Sequence, residues 1–127
     1  MPQGGHPPHH SIMLAALIAA AAEASAQTRN SQDTSANAVF LGCKAFTEGR
    51  GTTQEQYMLG NYCSGVVFGL SYIGNVMPPE WRYCAPAGSS GQQLARVVVN
   101  YIEARPERMH EDFRLLTLEA FHYAWPC

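Results

Sequence analysis

Ser90-Gly-Gln-Gln-Leu-Ala-Arg-Val-Val-Val-Asn-Tyr-Ile102 is the stretch from which the fold is read. Leu94, Val97, Val98, Tyr101 and Ile102 recur at i, i+3, i+4, i+7 and i+8, so they share one face of a 3.6-residue turn. Ser90-x-x-Gln93 supplies a capping box at its start. Working toward the carboxy terminus, Pro106 closes this helix and opens another, because a proline is tolerated in a first turn and Glu107 suits the helix dipole there. That last helix carries Met109, Phe113, Leu116 and Ala120 on one face, widened by Leu115, Leu118 and Phe121, and stops at Trp125-Pro126-Cys127. Working toward the amino terminus, Pro78, Pro79, Pro86, Gly88 and Gly91 mark a long loop from Asn75 to Gly91.

Two further helices precede that loop. Thr52-x-x-Glu55 reads as a capping box opening a helix to about Gly74, with Tyr62, Val66, Leu70 and Ile73 as its apolar stripe. Gly65 and Gly69 sit four apart beside the stripe and predict close approach of another helix. A buried strand over Gly65–Ile73 is the alternative. Upstream, Ser35 is the expected N-cap of a helix whose stripe is Val39, Phe40, Cys43 and Phe46, ended by Gly49-Arg50-Gly51. The sequence therefore predicts an all-α fold, a small four-helix bundle, with no internal repeat.

The chain has 127 residues, enough for one domain. Eight Lys plus Arg against ten Asp plus Glu give a net charge of -2, which removes the electrostatic basis for nucleic-acid binding. Apolar residues at 46% and charged residues at 14% exclude a disordered chain. The first 26 residues read as a signal peptide: an apolar run of eleven residues, Ile12 to Ala22, precedes Ala24-Ser25-Ala26, with cleavage expected after Ala26. The run is too short for a membrane anchor, which needs about 20 apolar residues. Its n-region holds His6, His9 and His10 but no Lys or Arg. Residues 27–37 are polar and are expected to form a flexible arm before a domain at 38–127.

Cys43, Cys63, Cys84 and Cys127 all lie beyond the leader, and an even count in a short exported chain predicts two disulfides. No pair has the short spacing of zinc ligands or of a Cys-x-x-Cys redox centre. Loop entropy does not separate the three connectivities; chain order favours Cys43 with Cys63 and Cys84 with Cys127.

Catalytic signatures are missing. There is no Gly-x-Ser-x-Gly elbow, His-Glu-x-x-His helix, dinucleotide turn or phosphate loop, so no enzyme is expected. Glu107-x-x-His110 and Glu119-x-x-His122 place carboxylate and imidazole on one helix face, but ~18 Å apart along one helix they cannot close a metal site. They are read as surface ion pairing, with Glu107, Glu111 and Arg114 as partners, and no cofactor is expected. Trp81-Arg82-Tyr83, beside Cys84, are the candidates for partner binding, since these residue types combine large contact area with directional polar groups. The alternative is that Trp81 and Tyr83 cap a small core.

Cys43, then Cys63-Ser-Gly-x-x-x-Gly69, Cys84-Ala-Pro86, Gln93-Leu94 with Val97-Val98-Val99 and Tyr101, Pro106-Glu107, and Ala120 through Ala124-x-Pro126-Cys127 follow one another in this order. The order resembles the Rap/Tai family of immunity proteins over about residues 38–127. Val66 stands where that family usually has an aromatic, and Ala85 where a larger aliphatic is common. The resemblance implies a periplasmic helical protein that binds and inhibits a peptidoglycan amidase effector of type VI secretion, with the loop from Met77 to Gly91 as the contact region. It also allows a homodimer. A periplasmic stress or chaperone-like binding protein is the other class considered; neither involves nucleic acid, nor a membrane once the leader is removed.

Overall fold

Four helices each begin where a short polar side chain takes up a free amide of the first turn. In the computed structural model, which describes residues 4–5, 33–51 and 53–127, Ser35 caps α1 (Ala36–Thr47) and Thr53 caps α2 (Gln54–Ser71). Ser90 caps α3 (Gly91–Glu103) and Asp112 caps α4 (Phe113–Ala124). Single 3-10 turns at Gly74–Val76 and Pro106–Arg108 interrupt the connections. Among the described residues there is no strand, only an isolated antiparallel bridge between Ser35 and Asp112. The expected all-α, four-helix fold is what the chain adopts; the leader, its cleavage point and Thr52 lie outside the described residues.

One core joins the four helices. Val39 and Cys43 of α1, Cys63 and Val67 of α2, Leu94, Val98 and Ile102 of α3, and Phe113, Leu116 and Phe121 of α4 are each no more than 2% exposed. Burying a side chain of this size contributes about 1.5–3 kcal/mol. The buried hydroxyl of Thr117 donates to the Phe113 carbonyl at 2.8 Å, so α4 brings no unpaired polar group into the core with it.

Several sequence expectations are corrected. α2 is capped by Thr53, one residue later than the expected capping box opens, its hydroxyl accepting from the Gln56 amide at 3.2 Å. It ends at Ser71, and Ile73, expected on its stripe, is 38% exposed. A Cβ added at Gly65 or Gly69 would meet open space, so no helix approaches there. The close approach is instead between Gly42 of α1 and Gly60 of α2: a Cβ on Gly42 would overlap Leu59, and one on Gly60 would lie 3.3 Å from the Gly42 carbonyl. α4 starts at Phe113, because Pro106 begins only a 3-10 turn and the chain must turn again before Asp112 supplies a cap.

The folded unit runs from Thr34 to Cys127. The segment expected as a flexible arm through residue 37 is thus tied in from Thr34: the Thr34 carbonyl accepts from the Phe113 amide at 2.8 Å, Ala36 donates to Glu111 at 2.9 Å and Asn37 to Met109 at 2.8 Å. Two disulfides complete the frame. Cys43–Cys63, 20 residues apart in sequence, joins α1 to α2, and Cys84–Cys127, 43 apart, ties the long loop to the terminus.

Candidate partner-binding surface

Trp81, Arg82 and Tyr83 have separate fates. Tyr83 is completely enclosed. Its hydroxyl donates to the Leu70 carbonyl at 2.5 Å, its amide donates to Gly74 at 3.3 Å, and its ring tilts against Phe121 with centroids 5.4 Å apart. Burial pushes its phenol up to about 12, because the phenolate has no solvent there. Gly74 is glycine because any Cβ there would overlap the Tyr83 ring. Tyr83 therefore packs in the core and is also among the residues that line the cleft beside the loop. Two aromatics in three residues do not reveal which one turns inward; the nearby Gly74 is the only hint in the sequence.

Burying Tyr83 presents its neighbours. Trp81 is half-buried, its amide donating to the Pro78 carbonyl at 2.9 Å. Arg82 is exposed, with Nε donating to the Met77 carbonyl at 3.2 Å. The Arg82 carbonyl accepts from Nδ1 of His122 at 2.7 Å, which places the proton of that imidazole on Nδ1. Cys84 donates its amide to Trp125 at 2.8 Å. The loop is thus pinned along its middle to the end of α4, with Arg82 exposed and Trp81 half-buried at its surface.

Beside this loop lies a cleft of about 430 Å³, walled by Phe68, Tyr72 and Asn75 on one side and Pro86, Ser89 and Leu94 on the other. Phe68 rests on Gly91, where a Cβ would collide with its ring, so the start of α3 is glycine to seat an α2 aromatic. Tyr72, on this cleft, is 80% exposed, and Val76, in the turn that follows α2, is 76% exposed. Sequence reasoning missed these residues, because it followed the apolar stripe that faces the core. The available signal was a second apolar row, Phe68, Tyr72 and Val76, at intervals of four.

The electrostatic centre of the surface lies elsewhere. Arg108 forms a fork with two carboxylates, its Nη1 2.6 Å from Glu119 and its Nη2 2.8 Å from Glu111. The Tyr101 hydroxyl also donates to Glu119 at 3.0 Å. Hydrogen bonding to Arg108 lowers both carboxyls below their usual range and raises the guanidinium further. The expected ion pairing of Glu107, Glu111 and Arg114 is corrected: Glu111 turns to Arg108, and Arg114 pairs with the cap Asp112 at 2.6 Å, holding that carboxyl well below its usual range. Glu107 and His110 lie before α4 and do not share a helix with Glu119 and His122. Among the described residues, no three of His, Cys, Asp and Glu gather as a metal site, and no helix is long and apolar enough to cross a membrane.

Residues 18–127 match the family model of Rap1a immunity proteins. The chain belongs to the Rap1a immunity protein family. No curated protein and no solved structure matches it. Membership in the Rap1a family agrees with the resemblance read from the cysteine order and gives the exposed loop and the cleft beside it a context: an immunity protein acts by binding the effector it guards against.

Proposed function

We propose that this Rap1a family member is a non-enzymatic periplasmic immunity protein that binds and inhibits a peptidoglycan amidase effector of type VI secretion. The family match carries the immunity reading. The geometry supports a contact surface made by Trp81 and Arg82 together with the exposed Tyr72 and Val76. Two aromatics with solvent access, one guanidinium and a cleft lined by no charged side chain match the composition of an interface centre, where charge is sparse and aromatic and Arg side chains carry the energy. Export is supported by the leader-like sequence before Ala26 and by two disulfides, which persist in an oxidising compartment.

The test is capture of a partner by the oxidised protein from effector extracts, followed by inhibition of any captured peptidoglycan amidase, measured as release of peptidoglycan fragments with and without the oxidised protein. Stoichiometric loss of hydrolysis is expected, weakened at least tenfold by Trp81→Ala with Arg82→Ala. Full hydrolysis at excess protein sinks the amidase reading. Unchanged inhibition by the double variant removes the loop from the surface. Protection of unrelated unfolding proteins, without inhibition of any hydrolase, supports the chaperone-like class instead.

A further inference from the structure

The two disulfides occupy opposite environments. Cys43 and Cys63 are completely enclosed in the core between α1 and α2, whereas Cys84 and Cys127 are both exposed, and Cys84 also lines the cleft beneath Tyr72. Thiol–disulfide exchange needs in-line access of a thiolate to one sulfur. Only one bridge of this protein offers it.

We propose that Cys84–Cys127 is a thiol-exchange site, opened by a dithiol reductant while Cys43–Cys63 keeps the bundle folded. A thiolate of the reductant attacks Sγ of Cys127; the disulfide breaks, its electron pair leaves on Sγ of Cys84, which takes a proton from water, and a mixed disulfide forms. The second thiol, deprotonated to solvent, attacks that mixed disulfide at the reductant's sulfur and expels Cys127 as a thiolate, which is protonated in turn. The reductant ends as a disulfide, oxidised by two electrons, and the two cysteines end as thiols.

The consequences are local, because each side of the bridge has its own anchor. Trp125 remains stacked on Phe121, with centroids 5.6 Å apart, and still donates its amide to the Phe121 carbonyl at 2.9 Å. Tyr83 remains buried and bonded to Leu70. The Cys84 amide keeps its bond to the Trp125 carbonyl at 2.8 Å, and what is released is Pro126–Cys127 and the segment from Ala85 to Ser89, which turns at Gly88 with φ of 83° and lines the cleft. The bridge is thereby a switch on that lining. Exchange itself does not depend on the immunity reading; its effect on effector affinity rests on that reading.

The experiment exposes the oxidised full chain to graded dithiothreitol under native conditions, quenches with iodoacetamide and locates the label by peptide mass spectrometry, with helical circular dichroism followed in parallel. Alkylation of Cys84 and Cys127 at least about 100-fold faster than of Cys43 and Cys63, with the helical signal retained, is the expected result. Simultaneous opening of both bridges, earlier opening of Cys43–Cys63, or loss of helix as Cys84 becomes labelled overturns the proposal. A Cys84→Ser with Cys127→Ser variant provides an independent check. It is expected to fold and to exchange the amide hydrogens of Ala85 and Ala87–Ser89 at least tenfold faster than wild type; exchange at the wild-type rate shows that the bridge constrains nothing and overturns the switch.

Discussion

The hydroxyl of Tyr83 reaches across from the long loop to the backbone carbonyl of Leu70 in the last turn of α2, a bond of 2.5 Å inside the core. It fastens an irregular segment to a helix where no apolar contact has the same direction. Tyr83→Phe keeps the ring and removes this one bond while the Leu70 carbonyl still accepts from the Ile73 amide at 3.2 Å, at an expected cost of about 0.5–1.5 kcal/mol. Tyr83→Ala also empties the ring's volume and is expected to cost about 3–5 kcal/mol. Urea unfolding of the two variants checks both the order and the gap.

The same residue predicts alkaline behaviour. Its phenol is raised to about 12 by burial, so the folded state holds the proton more tightly than the unfolded chain, whose phenol titrates near 10. The associated stability is fully present below about pH 10 and declines as pH rises toward 12. Ultraviolet titration is expected to show a tyrosine ionising only as the protein unfolds, and Tyr83→Phe should remove that late step.

Glycines of α1 and α2 are expected to respond with opposite signs. Gly42→Ala drives a methyl into Leu59 and should destabilise by about 1–3 kcal/mol. Gly65→Ala meets nothing and should stabilise by about 0.5–1 kcal/mol through helix propensity alone. Thermal unfolding midpoints that move in the same direction for both would contradict the Gly42–Gly60 crossing as the site of closest approach.

Arg108 ties the turn before α4 to α4 itself through Glu111 and Glu119. Both carboxyls titrate below their usual value, so their contribution is present above the ordinary carboxylate range and is lost as pH falls through the lowered values. Arg108→Ala should therefore lower the unfolding midpoint at pH 7 and differ less from wild type near pH 3. Salt should narrow the difference at neutral pH as well.

What the sequence made legible was periodic. The stripe from Leu94 to Ile102 and the Ser90 cap were read as they stand, and chain order pointed to the disulfide pairs that form. Decisions between near-equivalent neighbours were not legible. Thr52 and Thr53 are adjacent hydroxyls of equal capping power, and sequence alone does not say that Thr53 is the cap. Glycine spacing advertises Gly65 and Gly69, yet which glycine meets a neighbouring helix is fixed by how α1 docks, a property of two segments together. Of the two partners of Arg108, Glu111 lies three positions on, within the helical spacing rule, but Glu119 lies eleven on and is brought near only by the turn before α4.

The backbone bonds that join Thr34, Ala36 and Asn37 to Phe113, Glu111 and Met109 set the order in which this molecule becomes complete. The start of the first helix receives its clasp from residues near the end of the chain, so a polypeptide delivered amino terminus first must wait for those bonds until its last segments arrive. A copy truncated before Met109 is left without its opening clasp as well as its final helix, and proteases should find α1 as readily as the severed end.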